Sequence, residues 1–448
     1  MLRKTKFFIL FFLGLLSVTA QFPGTSVMPL KETRNIFGGT QNDSAYSVAK
    51  TSDGGYIIAG LSSSNDGDVS GNHGNEDFWV VKFNKTGNIE WSKTFGGTGQ
   101  DIANSIIETT DGGYAVAGSS SSNDGNVSGN HGGTSDIWVI KLNNVGTLQW
   151  QKTFGGTSAD LAYSLIQTSD GGYTIAGHTN SNDGDVSGNH GSYYFWVIKL
   201  SSIGTLQWQK TFGGTDDDLV RSIILNSDGS YTLAGRSRSN DGDVSGNHGG
   251  ASDIWVIKIN NVGTLQWQKT FGGTSSDIVY SIIQTSDGGY AVAGTTQSNN
   301  GNVSGNHGLF DSWVIKISGT GTLQWQKTFG GTSYDSAYSI IQTSDGGYTI
   351  AGTTQSSDGD LSVNYGDVDI WVIKINNMGA LQWQKVFGGT NTDYAYSVIS
   401  YQNGYLISGE SNSDNGDIVG PADSLLDAFI LNLDSNGNII RLYEDTAP

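Results

Sequence analysis

Residues 329–386 read FGGTSYDSAYSIIQTSDGGYTIAGTTQSSDGDLSVNYGDVDIWVIKINNMGALQWQKV. Two alternating segments in this stretch, AYSIIQT and YTIAGTT, flank the turn SDGG, and two more, DIWVIKI and LQWQK, flank the turn NNMG. Glycine- and asparagine-containing turns between β-branched and aromatic runs are typical of β-hairpins. The stretch therefore predicts four antiparallel strands, which we label A, B, C and D in chain order.

Strand C of this unit carries apolar residues on both of its faces. Trp371, Ile373 and Ile375 point one way, while Ile370 and Val372 point the other way. A sheet that is apolar on both faces must be covered on both faces. Neighbouring sheets stacked face to face around an axis provide that cover, and this arrangement is the β-propeller.

The unit occurs seven times, because the motif FGGT returns at intervals of 58 or 59 residues. A fixed period of this length indicates an array of repeated units. Seven four-stranded units predict an all-β, seven-bladed β-propeller with four antiparallel strands per blade and about 58 residues per repeat, over residues 37–448. The motif begins at Phe37, Phe95, Phe154, Phe212, Phe271, Phe329 and Phe387.

The tryptophans follow the same period. All 12 occur as pairs twelve residues apart, one on strand C and one on strand D of blades one to six. A residue repeated from blade to blade predicts packing between blades rather than a ligand platform. The pairs are 79/91, 138/150, 196/208, 255/267, 313/325 and 371/383.

The segments FGGTSYDSAYSIIQTSDGGYTIAG and DIWVIKI resemble the bacterial seven-bladed β-propeller repeat family known as SBBP. The resemblance extends from Phe37 to about Tyr443. It implies a propeller fold in an exported or surface protein, and it implies no particular activity. The chain departs from the family in its long B–C loop, so nothing about that loop follows from the resemblance.

The first 20 residues have the pattern of a secretory signal peptide. Arg3, Lys4 and Lys6 precede an apolar run over residues 7–16, and the small residues that end at Ala20 predict the cleavage site. We therefore expect a protein that is secreted or held at the cell surface. No later segment reaches the roughly 20 apolar residues of a membrane-spanning helix.

Residues 21–36 form a lead before the first blade. Within it, residues 29–36, PLKETRNI, are a possible outer strand that closes the ring beside the last blade. LDSNGNIIRLYE at residues 433–444 already predicts a complete C–D hairpin for blade seven. Blade seven would then have its own strand D, so the sequence does not decide whether residues 29–36 add a further strand.

Charge and composition limit the partners. Removing residues 1–20 takes away three of the 23 basic residues and no acid, which leaves 20 Lys+Arg against 42 Asp+Glu, a net charge of −22. This charge disfavours nucleic acid and anionic membranes. The chain has no cysteine, which excludes disulfides and thiolate metal sites. We expect a monomer whose partner is an extracellular protein or a polysaccharide.

An aspartate stands six residues after each anchor phenylalanine, in the D–A loop. Because D–A and B–C connections share one face of a propeller, we expect that face to be ringed with carboxylates. A ligand ring and a cap for the backbone N–H groups of the loop are both compatible with the spacing. The aspartates are Asp43, Asp101, Asp160, Asp218, Asp277, Asp335 and Asp393.

The B–C loop, SNDGDVSGNHG at residues 64–74, returns unchanged at 181–191 and 239–249. Oxygen side chains at alternate positions followed by glycine are similar to the first half of an EF-hand-type calcium loop. Calcium is thus the one cofactor suggested, and a plain exposed turn is the alternative. The candidate ligands are Asp66, Asp68, Ser70 and Asp77 in blade one, and Asp358, Asp360, Ser362 and Asp369 in blade six.

Five loops also carry a histidine in the segment NHG. Histidine and aspartate together suit zinc, but each loop has one histidine, which favours a hydrogen-bonded turn residue. These histidines are His73, His131, His190, His248 and His307.

Blade four breaks the symmetry with Arg221, Arg236 and Arg238. If its A–B turn centres on Gly229 and Ser230, Arg221 and Arg238 are cross-strand neighbours, and like charges placed so are unfavourable. The sequence predicts an anionic group between them. That group is either an aspartate from residues 216–218 or an anionic ligand.

No nucleophile–base pair stands out, and no G-x-S-x-G elbow is present. The sequence therefore predicts a secreted, non-enzymatic propeller that binds a protein or a glycan, or serves as a surface scaffold. The alternative is a glycoside-active enzyme that uses carboxylates on the acidic face. Two or three acids that break the repeat and meet at the axis would favour the enzyme.

Overall fold

The computed structural model describes residues 35–418 and 425–440. The predicted signal peptide and residues 21–34 of the lead lie outside them. The described chain forms seven four-stranded antiparallel sheets, and each sheet consists of consecutive strands except the last. The predicted seven-bladed propeller is confirmed. Nowhere in these residues is there a helix of the length and apolarity needed to cross a bilayer.

Strands A and B form the inner half of each blade. The A strands are β2 (Asp43–Lys50), β6 (Asp101–Glu108), β10 (Asp160–Gln167), β14 (Asp218–Leu225), β18 (Asp277–Gln284), β22 (Asp335–Gln342) and β26 (Asp393–Tyr401). The B strands are β3 (Tyr56–Ser62), β7 (Tyr114–Ser120), β11 (Tyr173–Thr179), β15 (Tyr231–Ser237), β19 (Tyr290–Thr296), β23 (Tyr348–Thr354) and β27 (Gly404–Ser411).

Strands C and D form the outer half. The C strands are β4 (Asp77–Phe83), β8 (Asp136–Leu142), β12 (Tyr194–Leu200), β16 (Asp253–Ile259), β20 (Asp311–Ile317), β24 (Asp369–Ile375) and β28 (Asp427–Asp434). The D strands are β5 (Ile89–Phe95), β9 (Leu148–Phe154), β13 (Leu206–Phe212), β17 (Leu265–Phe271), β21 (Leu323–Phe329) and β25 (Leu381–Phe387), with β1 (Ile36–Phe37) in this place in blade seven.

The seven A strands surround the central axis. Each A strand contacts the A strand of the next blade, and β2 contacts β26, which closes the ring. Each A strand also contains one β-bulge, seen as a shift in its pairing with strand B, for example between Val220 and Ser222. A bulge leaves one residue unpaired and turns its side chain away from the regular alternation. In blade four that residue is Arg221.

The hydrophobic core is divided into seven clusters, each shared by two neighbouring blades. Trp138 of strand C in blade two is fully buried, and its ring lies 4.5 Å from that of Phe78 in blade one. Trp150 of strand D packs against Tyr173 of the next blade at 5.8 Å. The predicted role of the tryptophans in packing between blades is confirmed.

Blade seven is closed by both ends of the described chain. Ile36 and Phe37 pair with Phe429 and Ala428 of β28, and Ile439 pairs with Leu433 further along the same edge. Phe37, the first anchor, thus occupies the place that the other anchors hold at the end of strand D. Of the possible closing segment 29–36, the described residues are 35 and 36, and both lie beside β28.

The lysine near the end of strand C is explained by the A–B turn. Lys374 is buried, and its ammonium group lies 3.0 Å from the carboxylate of Asp345 in the turn SDGG. The pairing lowers the pKa of Asp345 to about 2, with the hydrogen bond from Thr343 as the largest cause. The same Lys–Asp pair occurs in blades one to six, so it fixes each A–B turn against its own strand C.

Candidate functional site

The D–A aspartates are fully buried rather than exposed, so the expected ring of carboxylates on one face is wrong for this set. Asp101 is representative, because its Oδ2 accepts hydrogen bonds from Gly97 N at 2.8 Å and from Ser122 Oγ at 2.8 Å. A Cβ on Gly96 would lie 2.5 Å from the carboxylate of Asp77 and 2.6 Å from that of Asp101. The FGGT motif is therefore a close-packed junction between blades, and its aspartate caps the loop.

Burial is the largest cause of the raised pKa of these carboxyl groups. It raises the pKa of Asp160, Asp218 and Asp277 to about 6, although each accepts hydrogen bonds from a glycine N–H and a serine hydroxyl. The Asp136 carboxylate raises the pKa of Asp160 further, and Asp253 does the same for Asp277. These groups stabilise the fold most when protonated.

The first aspartates of the candidate calcium loops bind the protein itself. Asp66 accepts hydrogen bonds from Thr40 N at 2.8 Å and Thr40 Oγ1 at 2.9 Å, and Asp358 accepts the same two bonds from Thr332, both at 2.8 Å. Each B–C loop is thereby fastened to the D–A loop of its own blade. These hydrogen bonds match the prediction of a plain exposed turn rather than a calcium loop.

The remaining candidate ligands point elsewhere. Asp68 lies 3.3 Å from Gly38 N in its own blade, whereas Asp77 is buried beside Gly96 at the junction with blade two. Asp369 likewise lies beside Gly388, away from Asp358 at Gly331. Ser70 and Ser362 are exposed. The structure does not bring either set of four together, and within residues 35–418 and 425–440 no group of three or more acids and histidines is placed to hold a metal.

Four of the five loop histidines cap the buried aspartate that begins strand C. His73 Nδ1 lies 2.6 Å from Asp77 Oδ2, and His131 Nδ1 lies 2.7 Å from Asp136 Oδ2. The same pair occurs at His248 and His307. The geometry matches the hydrogen-bonded turn residue rather than a zinc ligand.

We expect EDTA to leave the melting temperature of the protein unchanged to within about one degree relative to added calcium. Both carboxylate oxygens of Asp66 and of Asp358 already accept hydrogen bonds from Thr40 and Thr332, and Asp77 and Asp369 lie away from them at the blade junctions. Bound calcium at a hundredfold excess over Kd would add about 2.7 kcal/mol of stability. A clear drop in EDTA, abolished by Asp66→Ala with Asp358→Ala, would establish the calcium sites after all.

A ring of seven equivalent residues lines a cavity of about 240 Å³ on the axis. Each is the bulged residue of its A strand, and each is half-buried. Five of the seven are tyrosines, so the wall is largely aromatic. The ring consists of Tyr46, Asn104, Tyr163, Arg221, Tyr280, Tyr338 and Tyr396.

A second ring comes from equivalent positions near the end of each B strand. These positions are polar or apolar without a common type, so this ring carries most of the asymmetry of the axis. It consists of Leu61, Ser119, His178, Arg236, Thr295, Thr353 and Glu410. Its one acid is Glu410, which accepts hydrogen bonds from Tyr396 at 2.6 Å and from Ser44.

The arginines of blade four are arranged differently from the prediction. The guanidinium of Arg221 lies over the Tyr163 ring at 4.2 Å, a cation–π contact. Leu219 pairs with Arg236 and Val220 with Gly235, so the predicted cross-strand pair of Arg221 and Arg238 is wrong. The turn is centred earlier than assumed, and the bulge takes Arg221 out of the ladder.

Arg238 lies at the exposed rim, where it forms an ion pair with Asp217 at 3.4 Å. Arg221 and Arg236 have no carboxylate within 4 Å among the described residues. Burial and the positive charges of Arg221 and Arg238 lower the pKa of Arg236. Among the described residues, Asp217 therefore forms its ion pair with Arg238, and its charge offsets only part of the lowering of the Arg236 pKa.

His178 lies beside the same residues, next to Tyr163 and close to Arg221 and Arg236. Its ring stacks on Tyr163 at 5.1 Å, and Nδ1 is buried without a hydrogen-bond partner in the described chain. Burial, followed by the charges of Arg221 and Arg236, lowers the pKa of His178 to about 3. The imidazole is thus neutral at physiological pH. His178 is not among the site residues predicted from the sequence, although it stands where three other blades have serine or threonine, and this departure marks it.

No known protein-family profile matches the chain, so the SBBP resemblance stays a prediction. A curated relative, the regulatory protein FlaEY of Caulobacter vibrioides, is 25% identical over 418 residues. The match covers 83% of this chain and 43% of FlaEY, so the chain spans less than half of that relative's length.

Solved structures share the fold at low identity. Puromycin hydrolase is similar with a TM-score of 0.50 and 9% identity, covering 94% of this chain and 58% of that one. The WD40 propeller domain of Doa1 is similar with a TM-score of 0.48 and 13% identity, covering 91% and 98%. At 9% identity, the likeness to puromycin hydrolase identifies the fold alone.

Proposed function

We propose that this protein is an exported, non-enzymatic binding module of the SBBP type whose axial cavity holds a carboxylate of its partner. The observation that carries the proposal is Arg221, which lines the axial cavity, together with Arg236, whose charge acts on it from close by. Neither guanidinium has a carboxylate within 4 Å among the described residues. Secretion rests on the signal-peptide pattern of residues 1–20. The partner is an acidic polysaccharide or a protein that presents a carboxylate.

The charge of the site is opposite to that of the chain. The mature protein carries about 22 net negative charges, yet the blade-four side of the cavity is lined by the guanidinium of Arg221. The guanidinium of Arg236 and the neutral imidazole of His178 lie close to it. Like charges held close together in a half-buried site are unfavourable unless an anion joins them. A guanidinium offers a planar fork of donors that matches a carboxylate. The cavity of about 240 Å³ suits one small acidic group rather than a whole macromolecule.

The aromatic wall supports binding over hydrolysis. A glycosidase of the usual kind needs two carboxyl groups that flank the scissile bond. The two axial rings contain one acid, Glu410, and its oxygens already accept hydrogen bonds from Tyr396 and Ser44. The tyrosines provide faces on which a sugar ring or an aliphatic chain packs while its carboxylate meets the arginines.

Titration calorimetry with glucuronate and with an acidic peptide tests the proposal. Arg221→Tyr combined with Arg236→Thr restores the residues found in blades five and six, so the fold should persist. Loss of two charge-assisted contacts should weaken binding by about 50-fold or more. Arg238→Ala is the matched control, because Arg238 is exposed and paired with Asp217, and it should change the affinity less than about threefold.

Two results would contradict the proposal. Wild-type protein that binds neither glucuronate nor the acidic peptide at millimolar concentration would exclude the site. A folded Arg221→Tyr, Arg236→Thr variant that binds as tightly as wild type would place the ligand elsewhere.

A further inference from the structure

Blade three departs from its neighbours at the start of strand C. In blades one, two, four and five this strand begins with a buried aspartate that is capped by the loop histidine, as in His131–Asp136. Blade three has Tyr194 at this place. His190 has no carboxylate within 4 Å in the described part of the chain, and its ring centre lies 6.4 Å from that of Tyr194. The histidine–aspartate pair of blades one, two, four and five is therefore lost here, although Asn189 still donates hydrogen bonds to Thr179 O, Ser181 O and Ser192 O.

A pocket of about 540 Å³ opens at this position, between blades three and four. His190 and Tyr194 line it from blade three, and Asp241 and Asp243 line it from the B–C loop of blade four. Thr215 of the D–A loop completes this part of the wall. The volume falls within the roughly 300–1,000 Å³ of small-molecule sites.

Hydrogen-bonding groups in the pocket are left without protein partners. Asp241 Oδ1 accepts from Thr215 N at 2.8 Å, but Thr215 Oγ1 does not donate to Asp241. In blades one, two, three and six the equivalent threonine hydroxyl donates to the equivalent aspartate. One oxygen of Asp241 and the hydroxyl of Thr215 are therefore available to a ligand, and so is the exposed ring of His190.

The charge and chemistry of the lining narrow the ligand class. Two carboxylates face one lysine, Lys210, which disfavours an anion. The other lining residues are polar or glycine, apart from the ring of Tyr194, which disfavours an apolar ligand. No metal-binding group of three acids or histidines exists among the described residues. A ligand rich in both donors and acceptors and without charge fits best.

We propose that this pocket binds a neutral sugar ring, at a site separate from the axial cavity. Asp241 and Asp243 accept hydrogen bonds from adjacent sugar hydroxyls, and Thr215 and His190 contribute further polar contacts. The ring of Tyr194 forms part of the pocket wall, at the position that a buried aspartate occupies in the neighbouring blades.

Saturation-transfer NMR and calorimetry with glucose, galactose, mannose and N-acetylglucosamine test the site in the full chain. Tyr194→Asp restores the residue of the neighbouring blades, so it should re-form the histidine–aspartate pair and reduce binding at least tenfold without lowering the melting temperature. Asp241→Asn with Asp243→Asn should also weaken binding about tenfold or more. The matched control is Asp358→Asn with Asp360→Asn, the equivalent positions in the loop of blade six, which does not line this pocket, and it should bind as wild type does.

Three results would overturn the inference. The first is the absence of binding of any of the four sugars at millimolar concentration. The second is unchanged affinity in folded Tyr194→Asp and in the Asp241→Asn, Asp243→Asn variant. The third is a protein that binds an amine such as ethanolamine but none of the four neutral sugars. That result would mean that the carboxylates bind a cationic ligand.

Discussion

Phe37→Ala is expected to lower the melting temperature by at least twice as much as the chemically identical change Phe212→Ala. Both side chains are buried, with exposed fractions of 6% and 5%, and both end the outer strand of a blade. Truncation of a buried phenylalanine costs about 3–5 kcal/mol, which for a chain of this size corresponds to about 5 °C. Phe212→Ala should show this loss and no more.

The difference comes from the strand that holds each phenylalanine. Phe212 ends the seven-residue strand β13, whereas Phe37 belongs to the two-residue strand β1. Ile36 packs into the cluster between blades six and seven, and Phe37 packs into the cluster between blades seven and one. Loss of Phe37 therefore loosens both clusters and opens the ring. Equal shifts in differential scanning calorimetry for the two variants would show that β1 does not close it.

The melting temperature is expected to rise by several degrees as the pH falls from about 7.5 to about 4.5. Burial raises the pKa of Asp160, Asp218 and Asp277 to about 6 in the folded protein, against 3.8 for an ordinary aspartate. A raised folded pKa adds stability that is fully present below the unfolded pKa and is lost as the pH rises through the folded pKa. Each group contributes on the order of 2 kcal/mol across this window.

Below about pH 3.8 the melting temperature should fall again as the pH is lowered further. The aspartates of the A–B turns, such as Asp345 and Asp170, have their pKa lowered to about 2, and their stabilising pairs with buried lysines are lost as they become protonated. A maximum of stability near pH 4–5 is thus expected, as measured by calorimetry in a series of buffers of equal ionic strength.

Asp160→Asn supplies the control for the pH series. The amide oxygen still accepts hydrogen bonds from Gly156 N and Ser181 Oγ. The amide nitrogen takes the place of Asp160 Oδ1 and can donate to the hydroxyl oxygen of Thr179 beside it. The melting temperature of the variant should depend less on pH between 7.5 and 4.5 than that of wild type, because one of the groups with a raised pKa has been removed. A melting temperature that is flat in wild type across this range would contradict the cause assigned here.

The repeat could be predicted from the sequence because every strand is encoded seven times. Alternation along strand C placed Trp371 and Ile370 on opposite faces, and the structure puts them in different clusters between blades. A strand whose pattern is weak in one blade can be assigned from the same strand in the other blades. The fold therefore followed from period, alternation and turn residues alone.

The site was less predictable because it depends on single residues that break the repeat. The bulge that turns Arg221 toward the axis shifts the register by one residue, and no residue type marks it in the sequence. Arg236 was identified as part of the cluster, but the assumed turn paired Arg221 with Arg238 instead. Tyr194 stands where other blades have an aspartate, which the sequence shows, yet the pocket at this place also depends on residues of blade four.

The D–A aspartates show a different limit. Their spacing was correct, but acidic residues near a loop are usually exposed, so burial could not be read from composition. The hydrogen bonds from Gly97 and Ser122 to Asp101 come from segments 4 and 21 residues away, and they become visible only when the two loops are placed side by side.

Closure by β1 also sets the order in which the chain can complete its fold. Asn42 accepts a hydrogen bond from Leu426 across 384 residues, so the first blade has no partner on one side until blade seven has been synthesised. Contacts of such long sequence separation form late, because the chain loses much entropy when its ends are brought together. The inner six junctions can form between sequence neighbours as they emerge, whereas the seventh requires the whole ring. We therefore expect the blades to pack one after another along the chain. Closure between blades seven and one then links all seven blades in a single final step.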